Sequence, residues 1–501
     1  MDQDRPRRRR RRRRHRNRSG EDYISGLPDE LLHSILLRLG STRAAARTSV
    51  LSRRWRPVWR HLPELVFGNG SHDAPPPTPA SFLDAVDSAL AAYAAPTIQG
   101  LVIVLSTAAA GLGVPAGRVA PWLRFAAERV AVELVIFVPP PPMHRHQTWP
   151  VVDWEDDLLE LPACEEAVLE LPACERAKTM ALRLKQHWRL RLPPAGMFTA
   201  LTSLTILFAS MEGSEVTALV CTRCPCLRNL RLSLTLVDAS NVSIRSDLLQ
   251  SLSFCVRKTR RLEVVTPRLE NLFVGDYIDE ARISAPKLEG IFWRATPYDP
   301  HHHRFDDVGR RLQLLDIGDC FITMASLMQR FDEVHELKLS IPQGMMAYKS
   351  FLNETNKLPK CKILRISLPW NRHVLAPVMM HILRSCSSTK KLSVQLIDCS
   401  GYSSENRCWS QCPCLQESRS ADGIALSSLE EVEITSHKSS QEQLLEFVEQ
   451  LLSRCNAAVL KKLVINYTTF FAPSRTKVAC EKIRRLCHPN TEFEFYEFSY
   501  G

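Results

Sequence analysis

The chain has 501 residues, 45% of them hydrophobic and 24% charged, a balance that excludes a disordered polymer; at this length a repeat array or several domains are expected. Its net charge of +11 suggests nucleic acid at first, yet residues 1–18 hold eleven arginines against Asp2 and Asp4, a net of +9, which leaves a nearly neutral body. No apolar region follows the arginines as in a secretory signal, no stretch approaches the ~18 apolar residues of a membrane span, and sixteen scattered cysteines fit reduced thiols of the cytosol or nucleus.

The first element is the arginine tract, Arg7, Arg8, Arg9, Arg10, Arg11, Arg12, Arg13 and Arg14, within a solvated tail over residues 1–20. It reads as a nuclear-import signal, and it could also hold nucleic acid or acidic lipid without sequence preference. Localisation in the nucleus and/or the cytoplasm follows as an expectation.

A helical block occupies residues 21–66. Leu27-Pro28-Asp29-Glu30 starts a helix, with proline at its head and two carboxylates at the positive end of the dipole. Leu31, Ile35 and Leu39, flanked by Leu32 and Leu36, give it a wide apolar stripe, and Gly40 ends it. Ser41 or Thr42 is placed to cap a second helix through Ala44, Ala45 and Ala46. Val50-Leu51-Ser52-Arg53-Arg54-Trp55 and Trp59 follow, with Pro57 expected to kink a third helix near Arg56. A Pro-rich break at 74–79 then suggests a linker and connecting helix over 67–96.

From residue 97 onward short apolar runs alternate with polar turns. Leu312-x-x-Leu315-x-Ile317-x-x-Cys320-x-Ile322 fits the leucine-rich-repeat template at every position. Partial copies begin at Leu201, Leu227, Leu249, Leu269, Leu288, Val334, Cys361, Leu429 and Leu460, and between 201 and 361 their starts are 26, 22, 20, 19, 24, 22 and 27 residues apart. Beyond 361 the spacing widens. Each unit supplies one strand that cannot bury its apolar face alone, so stacking builds a parallel sheet along a solenoid over 97–425, with polar strand residues such as Arg231, Asp316, Lys338 and Arg365 on its concave face. Leu-Glu-Leu-Pro-Ala-Cys-Glu occurs at 159–165 and again at 169–175; ten residues are too few for a solenoid unit, so the duplication reads as a loop expansion.

Leu27-Pro28-Asp29-Glu30-Leu31-Leu32, Ile35, Ser49 to Trp55 and Trp59 resemble the F-box motif in its plant form. Leu429 to Ile434, the amphipathic stretch at Glu442 to Leu452, and Leu460 to Ile465, with Cys412-Pro413 and the Phe493 to Phe498 run, resemble the FBD region that closes many plant F-box/leucine-rich-repeat proteins, here over 426–501. Trp122 to Ala126, leading to Val130 and Leu134, resembles that family's first repeat. The resemblance implies an α/β chain: a three-helix F-box, a leucine-rich-repeat solenoid and an FBD-like end. It implies a non-enzymatic substrate-recognition subunit of an SCF-type ubiquitin ligase, whose Leu27, Pro28, Ile35, Val50, Leu51 and Trp55 match positions that form either the domain core or the contact with a Skp-type adaptor. Through that adaptor the chain would join a cullin-RING ligase, with its repeats on a protein target.

Other sites read blandly. Cys221-x-x-Cys224-x-Cys226 and Cys408-x-x-x-Cys412-x-Cys414 could be halves of a zinc site, but cysteine is an ordinary turn residue in such repeats. His301-His302-His303 reads as a loop between repeats. No phosphate loop, H-E-x-x-H motif or nucleophile with a partner set is legible, so neither catalytic residues nor a cofactor is expected. The alternative is a nuclear scaffold or nucleic-acid-associated protein acting through the arginine tail, with no membrane contact.

Overall fold

The computed structural model describes residues 26–68, 79–105, 114–138, 167–185, 187–294, 297–318, 324–340, 358–369, 382, 388–397, 426, 428–437, 441–453, 455, 459–469 and 476–499. The arginine tract, the first copy of the 159–175 duplication, the second cysteine cluster, and Cys320 and Ile322 of the full repeat template lie outside them.

The chain opens with α1 (Asp29–Leu37), α2 (Thr42–Arg47), a 3-10 turn at Thr48–Val50, α3 (Trp55–Val58) and a 3-10 turn at Trp59–His61. Gly40, at φ +64°, closes the first helix in a conformation that glycine adopts without steric cost. Pro57 falls in the first turn of α3, where its missing N–H would be unsatisfied anyway, so the helix stays short and Trp59 is still buried beneath it. Ser41 makes no side-chain cap, and Thr42 is taken by another bond described below.

Twenty strands, all in parallel register, form the sheet among the described residues. They begin earlier than the sequence suggested. β1 (Glu64–Phe67) follows the last helical turn directly and pairs in parallel with β2 (Ile98–Val104), so the edge of the sheet falls at the end of the helical block, and α4 (Pro79–Ala92) is the helix that connects the two strands. Leu62, Leu65 and Phe67 occupy the repeat template's three apolar positions, and all are buried. The helical block therefore ends as the first unit of the solenoid.

After α5 (Ala116–Arg129) come β3 (Val130–Phe137), β4 (Val168–Glu170), β5 (Thr179–Arg183), β6 (Arg189–Arg191), β7 (Ser203–Met211), α6 (Gly213–Ala218), β8 (Asn229–Arg245), β9 (Ser251–Val265), β10 (Asn271–Val274), β11 (Ile278–Ser284), β12 (Gly290–Trp293), β13 (His303–Asp306) and β14 (Arg311–Ile317). The second copy of the duplication begins in β4 with Leu169 and continues as irregular chain that is anchored in the core, where Leu171 and Cys174 are fully buried. The chain continues through α7 (Met324–Arg330), β15 (Glu333–Ser340), β16 (Lys360–Pro369), β17 (Lys391–Ile397), β18 (Glu431–His437), α8 (Gln441–Leu452), β19 (Lys462–Thr469), α9 (Thr476–Leu486) and β20 (Glu492–Ser499). The FBD-like end is two further strand–helix units of the same sheet.

One buried row runs through the register from Leu65 through Leu101, Leu134, Met180, Leu204 and Leu230, each residue on the strand beside the last, and toward the far end Leu463 stands beside the partly buried Phe493. Every unit buries that face against its neighbours, the condition under which a solenoid is stable. The return path depends on the unit. Those starting at Leu201, Leu312, Leu429 and Leu460 return through α6, α7, α8 and α9, whereas those starting at Leu227, Leu249, Leu269 and Leu288 return through the far halves of β8 and β9 and through β11 and β13. The latter pair with one another as a second parallel ribbon. Lys258 (φ +64°) stands at the corner of β9 where the chain passes from one ribbon to the other.

Candidate docking surfaces

Two solvent-facing surfaces stand out, one on the helical block and one on the sheet. On the block, the apolar stripe of α1 divides. Leu32 and Leu36 point into the core at 0% and 1% exposure, while Leu31, Ile35 and Leu39, one turn apart, stay 50%, 41% and 46% exposed. Val50 and Leu51, between α2 and α3, are 87% and 67% exposed. Five large aliphatic side chains are thus held in water on a small block, which makes this face a candidate docking surface.

The scaffold under those residues is polar and specific. Arg54 donates to the Leu27 carbonyl, and to Asp29 Oδ1 at 2.9 Å, which holds the entry to α1 against the end of the Ser-Arg-Arg segment. His33 Nε2 lies 3.1 Å from the Val58 carbonyl and ties α1 to α3. The six docking candidates separate on this frame. Ile35, Val50 and Leu51 are exposed, Pro28 is exposed at the head of α1, and Leu27 is partly buried against the core. Trp55, at 5% exposure, takes the first of the two roles that the resemblance left open: its indole is a core group beneath α1. Leu31 and Leu39, members of the wide apolar stripe, join the exposed set.

On the sheet, the row beside the buried one faces solvent. It reads Thr205, Arg231, Ser253, Phe273, Phe292, Asp316, Lys338 and Arg365 on successive neighbouring strands. Asp316 is covered by Arg294, whose guanidinium lies 3.2 Å from both of its carboxylate oxygens. Arg365 donates to Glu336 at 2.7 Å. Between β7 and β12 the row opens into a cleft of about 670 Å³.

The cysteine and histidine motifs resolve into structure. Cys224 is buried and its thiol is pushed up to about 12, while Cys221 Sγ donates to the Ser243 carbonyl and accepts from the Arg245 N–H, both at 3.4 Å. Among the described residues no three His, Cys, Asp or Glu side chains converge as a metal site would need. His303 opens β13 rather than lying in a loop: its Nδ1 accepts from the Asp299 N–H at 2.9 Å and its Nε2 faces the Ile278 carbonyl at 3.1 Å, which fixes a neutral imidazole. Burial holds its pKa below the ordinary histidine value. No helix among the described residues is long and apolar enough to cross a membrane.

A small helical block that ends in the first strand of a leucine-rich-repeat solenoid, and keeps an aliphatic surface in water, defines the architecture. Family models agree. The F-box domain matches residues 24–67, and the LRR repeats of the FBD-associated F-box protein At5g56370 match residues 119–292. Among Arabidopsis thaliana proteins, F-box protein At5g03100 is 33% identical over 112 residues, 22% of this chain and 32% of that protein. F-box/LRR-repeat protein 25 is 54% identical over 50 residues, 10% of this chain and 19% of its own length. F-box protein At1g80960 is 25% identical over 302 residues, 56% of each. The matched segments thus cover less than two thirds of these relatives. The chain carries an F-box domain at its helical block and FBD-associated leucine-rich repeats in the solenoid that follows.

Proposed function

We propose that the chain is the substrate-recognition subunit of an SCF-type E3 ubiquitin ligase, its F-box seated on a Skp-type adaptor and its sheet face on a protein target. The exposure of Val50 and Leu51 beside the split stripe of α1 carries the reading. Fully burying an aliphatic side chain is worth about 1.5–3 kcal/mol, so these residues can supply the core of a stable interface. The repeats support the second half, because a solenoid sheet presents a long row of side chains fixed by strand register. The chain would then do no bond chemistry itself. It would raise the local concentration of its target and orient it toward subunits that do. Mixing the purified chain with a Skp-type adaptor tests this: co-elution as one species on size exclusion is expected, and separate elution at micromolar concentration contradicts it.

The scattered thiols and the arginine tract support placement in the nucleus or the cytoplasm, which microscopy of a fluorescent fusion with and without residues 7–14 would check. Nothing on the folded body favours the scaffold reading, and its tail lies outside the described residues.

A further inference from the structure

The cleft between β7 and β12 has a composition unlike the rest of the sheet. Phe208, Phe273 and Phe292 form its apolar walls, and Arg231 and Arg257 stand over it. Arg257 is matched by Asp276 at 3.6 Å. Arg231 has no ion pair or hydrogen-bond partner among the described residues, and it projects from the solvent-facing row beside Ser253. The guanidinium of Arg183 lies 5.1 Å from the Phe208 ring centre, and that of Arg294 lies 5.9 Å from Phe273, so the aromatic walls are rimmed by cations.

Phe208 adds a second, independent observation. It takes φ +58° at the break in register between Leu207 and Ser210, a conformation that costs a bulky residue of order 1–3 kcal/mol. The strained backbone keeps the ring 39% exposed, turned to the cleft instead of into the core. Strain of this kind concentrates at binding sites, where the surrounding fold holds it.

We infer that this cleft is the anchor for an extended peptide segment of the target, in which an aromatic side chain seats between Phe208, Phe273 and Phe292 and flanking carboxylates pair with Arg231. The inference rests on the substrate-recognition reading and gives it a ligand class. Three features select this occupant. Five strands contribute to the cleft, so it runs about 19 Å across the sheet at the usual strand spacing, a trough for several residues of chain more than a socket for a compact solute. Its uncompensated charge is positive, which favours carboxylates and disfavours a basic segment. Its walls offer rigid aromatic surface, on which a partner ring gains about 0.5–1.5 kcal/mol beyond burial.

The test uses the full chain and a fluorescein-labelled twelve-residue peptide with one Phe flanked by Asp residues in a Gly/Ser background. Anisotropy should show binding that weakens tenfold or more when the peptide Phe becomes Ala, when its Asp residues become Asn, and in Arg231→Gln. Arg257→Gln should weaken it less, because its charge is already matched by Asp276. Equal binding of the control peptides, or wild-type affinity in Arg231→Gln, would overturn the proposal. So would binding of phenylacetate at the cleft without binding of the peptide, which would mark a small-acid site. Adaptor binding is read on the same samples: it should be unchanged in Arg231→Gln, and peptide binding without adaptor binding would sink the ligase reading while leaving the cleft assignment standing.

Discussion

The buried hydroxyl of Thr42, in the second helix of the F-box, accepts a hydrogen bond at 2.7 Å from the backbone N–H of Val66, in the first strand of the repeat sheet. The seam holds further bonds: the Tyr93 hydroxyl lies 2.8 Å from the Leu62 carbonyl, and the Gln99 N–H donates to the Pro63 carbonyl at 2.7 Å. The F-box and the solenoid thus share one core, and a bound adaptor and a bound target would be held in fixed relation.

Thr42→Val keeps the volume and removes the acceptor. It should destabilise the chain by about 1–3 kcal/mol, the cost of a buried donor left unsatisfied, seen as a lower urea midpoint. Because the core is continuous, the F-box and the first repeats should unfold together. A separate F-box transition, unaffected by the substitution, would contradict the shared core.

Trp55→Ala is expected to act on folding. Emptying a site this buried should cost about 3–5 kcal/mol and lower the thermal midpoint. A variant that kept wild-type stability while losing adaptor binding would return Trp55 to the contact surface.

His303 sets a pH dependence. Its folded pKa lies below the ordinary 6.5, so on acidification the unfolded chain takes up a proton that the fold refuses. Stability is therefore fully present above about pH 6.5 and is lost as pH falls from there toward the depressed folded value. His303→Gln should flatten this slope in urea titrations between pH 7.5 and pH 5.5, though it also lowers stability at every pH by disturbing the bonds to Asp299 and Ile278. An unchanged slope would exclude His303 as its source.

Cys174 and Cys224 have thiols pushed up to about 12 by burial alone, so neither forms an appreciable thiolate at neutral pH. Both should resist iodoacetamide in the native chain and label after unfolding, read site by site by mass spectrometry. Rapid native labelling of Cys224 would contradict its place in the core.

The repeats were legible because each strand writes the same three apolar positions at a narrow range of intervals. One missed unit accounts for part of the wider spacing beyond Cys361: that of β17 starts at Thr389 in place of a leucine, and this threonine is buried with its hydroxyl 3.6 Å from Cys361 Sγ. The opening unit, Leu62 to Phe67, was hidden inside the F-box resemblance. The second ribbon was not legible, since Lys258 turns a corner that glycine would have announced. Within the F-box, the adjacent apolar pairs Leu31 with Leu32 and Ile35 with Leu36 fit either face of a helix, and only the packing of α1 on α2 and α3 chose which residues were buried. Of the cleft only Arg231 was legible, as a polar strand residue of the concave face: Phe208, Phe273 and Phe292 join it by strand register, not by any sequence pattern.

The docking of the F-box is the central claim, and deleting the block would also strip β1 from the sheet, so point substitutions are the cleaner tool. The direct measurement is a calorimetric titration of a Skp-type adaptor into the full chain, wild type and Val50→Asp/Leu51→Asp. Both residues are exposed, so the double variant should unfold at the wild-type temperature. Saturable binding by the wild type, weakened at least a hundredfold in the variant at unchanged stability, is the expected result. Wild-type affinity in the variant, or no heat with either protein, would contradict it.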